Sequence, residues 1–215
     1  MIPELPRTPD RSRGVERGVH TALVAALVFF SGVFLYHALR IVAYPYTVDF
    51  GEGYLLNHAG ELADLRNPYR SLDSPPWLVA NYPPVFPLLT AVGVKAFGFQ
   101  FHFGRALSLL GVLTTGFCLY RMTRFQTEDR FAAIVAGLMW LTAYPIYNWG
   151  THHRVDSVGI AFEALGLLFL LRRDHPRIAT LFFLLALYTR QTLWVGPLAG
   201  YCYLRRVEGA RAAAR

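Results

Sequence analysis

Thr21–Ala43, TALVAALVFFSGVFLYHALRIVA, is a 23-residue apolar run whose single arginine, Arg40, lies near its end. A helix crossing the hydrocarbon core of a bilayer needs about 20 apolar residues, so this run reads as a membrane span. The rest of the chain agrees with it. Of the 215 residues, 54% are hydrophobic, 15% aromatic and only 16% charged, against about 25% charged in an ordinary soluble domain. That is too little charge to cover a water-facing surface of this size. The composition therefore predicts an all-α polytopic protein of the cell membrane.

Arg7, Arg11, Arg13 and Arg17 precede the run like the positive region of a signal peptide. The run is about twice the length of a usual signal-peptide core, however, and no A-x-A-like cleavage site follows. The reading is a retained first helix, with residues 1–20 in the cytoplasm and residues 206–215 as a basic tail. The formal charge of +7 does not point to nucleic acid. The arginines sit in short clusters between apolar blocks, with no basic patch on a soluble fold. Cys118 and Cys202 both fall inside apolar stretches, which argues against a disulfide framework or a metal site.

Five further apolar stretches follow: Val85–Gly98, Phe103–Tyr120, Phe131–Tyr147, Val155–Leu171 and Ala179–Leu204, the last interrupted by Thr189-Arg190-Gln191. Val85–Gly98 has only 14 residues and contains Lys95, the length of a re-entrant or interfacial segment. If it does not cross and the last block turns back at Arg190, fourteen of the 21 basic residues fall on the cytoplasmic side and seven outside. If every stretch crosses, that asymmetry nearly vanishes. The positive-inside rule favours the first arrangement, with residues 44–84 and 148–155 extracytoplasmic. The transmembrane module then spans residues 21–205, with the loop 44–84 as its longest polar segment.

Tyr46-Thr-Val-Asp49-Phe-Gly-Glu52-Gly-Tyr54 opens that loop. Two carboxylates three residues apart at a membrane edge suit a general base, because low dielectric can raise a carboxyl pKa while polar substrates still reach it. The same spacing also suits a plain helix cap. From Leu55 a helical wheel places Leu55, Leu56, His58, Ala59, Leu62, Ala63 and Leu65 on one side, with Asn57, Gly60, Glu61 and Asp64 on the other. This predicts an amphipathic helix along the membrane surface, stopped by Asn67-Pro68. Tyr82-Pro83-Pro84 then reads as the start of a helix.

A second cluster, Trp149-Gly-Thr-His152-His153-Arg154-Val-Asp156, precedes the fifth stretch. Arg154 can grip a phosphate through its bidentate fork, or it can be a polar cap on the next helix. Adjacent histidines on a helix point about 100° apart, so His152 and His153 make a poor metal pair. Glu163 and Arg190 lie inside apolar blocks, where ionisable groups face a cavity or a partner.

In order and spacing these pieces resemble the GT-C membrane glycosyltransferases, specifically the protein-mannosyltransferase, aminoarabinose-transferase and RgtA/B/C/D-like branch, family 39. The matching elements are Asp49-Phe-Gly-Glu52-Gly after the first helix, Tyr82-Pro83-Pro84 at the end of the loop, and Phe99-Gln-Phe-His-Phe-Gly104-Arg105 as a short link. Arg154-Val-Asp156 opens a later helix, and Thr189-Arg190-Gln191-Thr192 matches the break. The resemblance implies a GT-C-like helix bundle with a juxtamembrane helix in its first extracytoplasmic loop. It implies inverting transfer of a sugar from a polyprenyl-phosphate donor, with Asp49 as base and Glu52 as the second acid. Tyr54, His58, Tyr82, His153, Arg154 and Asp156 are the expected substrate-binding residues. Members differ in metal dependence, so a divalent metal stays open and no metal ligand is assigned. Family members commonly run to more than twice this length, and a separately encoded C-terminal half is a partner to expect if the chain is a fragment. Two other functions compete: a non-catalytic half of a split enzyme, and a transporter component suggested by Glu163 and Arg190, for which no internal repeat is found.

Overall fold

The computed structural model describes residues 11–73, 75, 77–173 and 176–209. Among these residues every regular element is helical: α1 (Arg11–Ala43), α2 (Phe50–Ala63), α3 (Val85–Phe97), α4 (His102–Thr127), α5 (Arg130–Thr142), α6 (Tyr144–Trp149), α7 (Val155–Arg172), α8 (Pro176–Leu187) and α9 (Val195–Glu208). Two of them, α1 from Gly14 and α4, are long and apolar enough to cross a membrane by length and composition. Along α1, Val28, Phe29, Phe30, Tyr36 and Leu39 are exposed. A water-facing surface does not carry such a continuous apolar face, whereas a lipid-facing helix does.

The helix ends differ from the sequence reading in three places. Residues 11–20 are helical, so α1 starts at Arg11 rather than Thr21, while residues 1–10 and 210–215 lie outside the described residues. The stretch read as Phe131–Tyr147 is two helices, broken at Ala143. Pro145 lacks an N–H, and its ring would meet the carbonyl one turn back. The last block breaks where expected, between α8 and α9. The helix after the acidic motif begins at Phe50 rather than Leu55, so the motif forms its first turn.

α2 departs from the wheel at two positions, Glu61 and Leu65. Leu55, Leu56, His58, Ala59 and Ala63 are buried, but so is Glu61, which pairs with Arg70 at 2.6 Å, while Leu65 beyond the helix is 92% exposed. Leu55 packs with Phe86 of α3 and with Val155 and Val158 of α7. The apolar side of α2 is thus covered by the chain's own helices and is not free to lie on lipid.

Four contacts orient the helices. Ser108 of α4 donates to the Arg154 carbonyl at 3.3 Å, and further along Cys118 packs on Ala164 and Leu168, so α4 and α7 run side by side in the same direction. Their backbones meet closely at Gly111, where a Cβ would come within 2.6 Å of the Ser157 carbonyl oxygen. α5 runs the opposite way: His20 of α1 stacks on Phe131 at 3.9 Å, and Trp140 donates to the Val112 carbonyl at 2.9 Å. The starts of α2, α4 and α7 and the end of α1 therefore share one end of the molecule. The start of α1, the α4–α5 turn and the end of α7 share the other.

Both ends of α3 stay at the first end. Phe86 at its start and Phe101 just before α4 each present a ring edge to His153, at centroid distances of 5.2 and 6.2 Å. At 13 residues, α3 is roughly 20 Å long.

Candidate active site

Glu52 is the hub around which the first end is built. Its side chain and that of Arg105 have no exposed surface. Arg105 Nε donates to Oε1 at 2.8 Å and Nη2 to Oε2 at 2.6 Å, a bidentate pair. The backbone N–H groups of Val48 and His153 also donate to Glu52, both at 2.8 Å. Arg105 spends its other donors on the carbonyls of Ile41, Tyr44 and Tyr46, orphan or irregular groups just beyond the α1 hydrogen-bond ladder. One ion pair thus ties α1, α2, α4 and the turn before α7 together. Both Glu52 oxygens are engaged, which leaves this carboxylate no open side for a substrate.

Asp49 caps α2, its Oδ2 accepting from Gly51 N–H at 3.2 Å, and Glu52 closes the capping box. The cap does not exhaust Asp49. The same Oδ2 takes a hydrogen bond from Arg154 Nη1 at 2.8 Å. Arg154 Nε reaches Asp156 at 3.3 Å, and Asp156 pairs in turn with Arg190. Alternating charges run from Asp49, 5% exposed, through Arg154 and Asp156 to Arg190, 35% exposed. Gly51 lies beneath the first link, where a Cβ would sit 2.9 Å from Asp49 Oδ2 and 3.6 Å from Arg154 Nη1. Trp149 covers Arg154, whose guanidinium carbon is 5.5 Å from the ring centroid.

Tyr54 and Tyr82 pack beside this chain on the Leu55–Phe86–Val155 cluster. Burial, with Tyr82 adjacent, pushes the Tyr54 hydroxyl up to about 12, so it serves as a neutral hydrogen-bonding group. His58 and His153, expected to touch substrate, are both buried. His58 is buried against Tyr54. His153 is sealed in a slot that exists because residue 104 is glycine, where a Cβ would come within 2.8 Å of the ring. Glu163 accepts from Gly196 N–H at 2.7 Å, at the start of α9, and Arg190 is bound to Asp156. Both charges suspected of serving transport are occupied within the fold. Among the described residues no three His, Cys, Asp or Glu side chains converge as metal ligands.

Sequence reasoning passed over Arg105, quoted only as part of a link, and gave no site role to Trp149 or Gly51. An arginine three residues into an apolar helix was the available signal for Arg105, since a charge there demands a partner.

The electrostatics set an acid limit on stability. Burial raises the Glu52 carboxyl, but its bonds from Arg105, Val48 and His153 outweigh burial and hold it down to about 2. Burial pulls His153 down to about 4 and lowers His58 and His152 in the same direction. A lowered folded-state pKa stabilises above the unfolded value and loses that contribution as pH falls through the folded one. The histidine contribution should fade between the ordinary histidine value of 6.5 and about 4. The Glu52 contribution should fade between 4.5 and about 2. Thermal midpoints in detergent should fall steadily from pH 7 to pH 3, with the lower part of the fall absent in Glu52→Gln. A midpoint unchanged down to pH 4 would exclude buried neutral histidines.

Helices are the only regular elements among the described residues, and a chain of acids and arginines joins them at one end, which makes this a helical membrane protein with a charged site at its helix ends. Residues 81–212 match the dolichyl-phosphate-mannose-protein mannosyltransferase family. The match covers more than half of the chain, which belongs to that family of GT-C glycosyltransferases. No curated protein and no solved structure gives a significant match. Asp49 and Glu52 precede the matched residues, yet the side chains that hold them, Arg105 and Arg154, lie within them.

Proposed function

We propose that the chain transfers a sugar from a polyprenyl-phosphate-linked donor to an acceptor hydroxyl at the extracytoplasmic face, with inversion and with Asp49 as general base. The observation that carries this is the 2.8 Å contact between Asp49 Oδ2 and Arg154 Nη1, which puts a carboxylate beside a phosphate-binding group. As the acceptor oxygen bonds to the anomeric carbon, its proton passes to Asp49. The carbon–oxygen bond to phosphate breaks, and the polyprenyl phosphate leaves with the electron pair. Arg154 is proposed to meet that phosphate. Nε and Nη1 are engaged, while Nη2 stays uncommitted among the described residues, so a donor oxygen can be bound without breaking the Asp49 contact. Tyr54, Tyr82 and Asp156 border the same space. Glu52 is read as a positioning residue that holds the motif through Arg105.

Donor binding tests this. Arg154→Ala should weaken affinity for a polyprenyl-phosphate sugar, and Arg154→Lys should restore it only in part, because an ammonium lacks the fork. Equal donor affinity in wild type and Arg154→Ala would remove Arg154 from the donor site.

The membrane arrangement that fits places the shared starts of α2, α4 and α7 outside, with α3 not crossing and the chain turning back between α8 and α9. Single cysteines at Leu65, 92% exposed, and at exposed Gln126 would be probed in a background lacking Cys118 and Cys202. An impermeant thiol reagent added from outside should label the Leu65 position and spare the Gln126 position. Labelling at Gln126 would restore α3 as a crossing.

A further inference from the structure

The end of the helices remote from the candidate active site carries a feature that glycosyl transfer does not use. Arg121 and Arg124 of α4 and Arg172 of α7 border one cavity of about 390 Å³, together with Tyr120, Phe125 and Leu168. The position follows from the parallel packing of α4 and α7. From Arg105 at the active-site end, Arg121 and Arg124 lie roughly 24 and 28 Å along the helix at 1.5 Å per residue, close to the roughly 30 Å hydrocarbon thickness of a bilayer. The three arginines thus border this cavity at the opposite end of the helices.

Two of the charges there are treated differently from those at the candidate active site. Arg105, Arg154 and Arg190 each have a carboxylate partner. Among the described residues Arg121 and Arg124 have none. Arg121 and Arg124, both on this cavity and without a carboxylate partner among the described residues, repel each other until an anion enters it, and their forks suit a phosphate. The cavity is also not isolated. Tyr120 lines a second, apolar groove of about 240 Å³ between α4 and α5, with Leu113, Phe117, Ile134, Leu138 and Leu141. Its floor is the close approach of Gly116 and Gly137, where a Cβ on Gly137 would sit 3.0 Å from the Gly116 carbonyl oxygen. The Arg121 guanidinium lies 5.7 Å above the Phe117 ring, at the junction of groove and cavity.

We propose that this end of the molecule holds an anionic phospholipid, its phosphate among Arg121, Arg124 and Arg172 and an acyl chain along the α4–α5 groove. Basic pockets between membrane helices at the cytoplasmic side bind such headgroups. A free anion would make use of the arginines but not the groove, and a zwitterionic lipid would use the groove while bringing its own cation among the arginines. The inference does not rest on the sugar chemistry proposed above.

Native mass spectrometry of the purified full chain in detergent tests it, with phosphatidylglycerol, phosphatidylcholine and inorganic phosphate as separate probes. Phosphatidylglycerol should bind in preference to phosphatidylcholine, and millimolar phosphate should not displace it. Each arginine near the headgroup is worth about fivefold, so Arg121→Gln/Arg124→Gln should lose on the order of 25-fold in phosphatidylglycerol affinity. Arg17→Gln/Arg130→Gln removes equal charge at the same end but outside the cavity, and should stay near wild type. Equal losses in the two double variants, no preference between the lipids, or displacement by phosphate alone would each overturn the proposal. Where the glutamine pair does not fold, Arg121→Lys/Arg124→Lys keeps the charge and loses the fork. It should bind a few-fold more weakly, and unchanged affinity there overturns the proposal as well.

Discussion

Arg105→Ala is expected to destabilise the folded chain by about 3–5 kcal/mol, the cost of breaking a buried ion pair by removing one partner. The loss is large because the alanine leaves a carboxylate at Glu52 with no exposed surface and without its only cation. It also strips the carbonyls of Ile41, Tyr44 and Tyr46 of their shared donor. A second change should recover part of it. With Glu52→Gln added, the stranded charge is gone, and most of what remains is lost hydrogen bonding and a cavity. Thermal unfolding in detergent, followed by helical circular dichroism, would show the single variant well below wild type and the double variant above the single. An Arg105→Ala protein that unfolds at the wild-type temperature would mean that this pair does not hold α1, α2 and α4 together.

Asp49→Asn is expected to lose about 10²–10⁴ in transfer rate, the usual worth of a positioned general base, while folding nearly normally. Folding survives because asparagine caps a helix about as well as aspartate, so Gly51 N–H keeps an acceptor. The amide cannot take the acceptor's proton, and it replaces the ion pair with Arg154 by at most a neutral hydrogen bond. Glu52→Gln should separate the two acids. It is expected to act through stability, with a lower unfolding temperature, and any active fraction should keep a near-normal pH–rate profile. The assay requires the chain in membranes, a polyprenyl-phosphate sugar, and any separately encoded second half. Asp49→Asn with most of its activity would end the base assignment. A well-folded Glu52→Gln without activity would move the reacting role to Glu52.

Local order explains what could be read in advance. The run from Thr21 to Ala43 is long enough to be a helix whatever surrounds it, and Asp49-x-x-Glu52 is a capping box in any context, because its bonds close within one turn. The break at Thr189-Arg190-Gln191 was legible from polarity, and the short Val85–Gly98 segment from its length. The break at Ala143 was equally local, written in Pro145, but an apolar count alone does not register a missing N–H.

Composition and the long apolar run are enough to make this a helical membrane protein, and the ordered motifs point to the glycosyltransferase family that residues 81–212 match. Which charges meet depends on packing. Glu52 and Arg105 are 53 residues apart, and Asp49 and Arg154 are 105 apart, separations over which no periodicity carries information. The same holds for the burial of His153, which Phe86, Phe101 and the space above Gly104 enclose. Hydrophobic spacing determines which face of a helix is buried. Where the helices end relative to one another determines whether an acid becomes a cap, a hub or a base, because a charge at a membrane edge is stable only beside the partner that tertiary packing delivers.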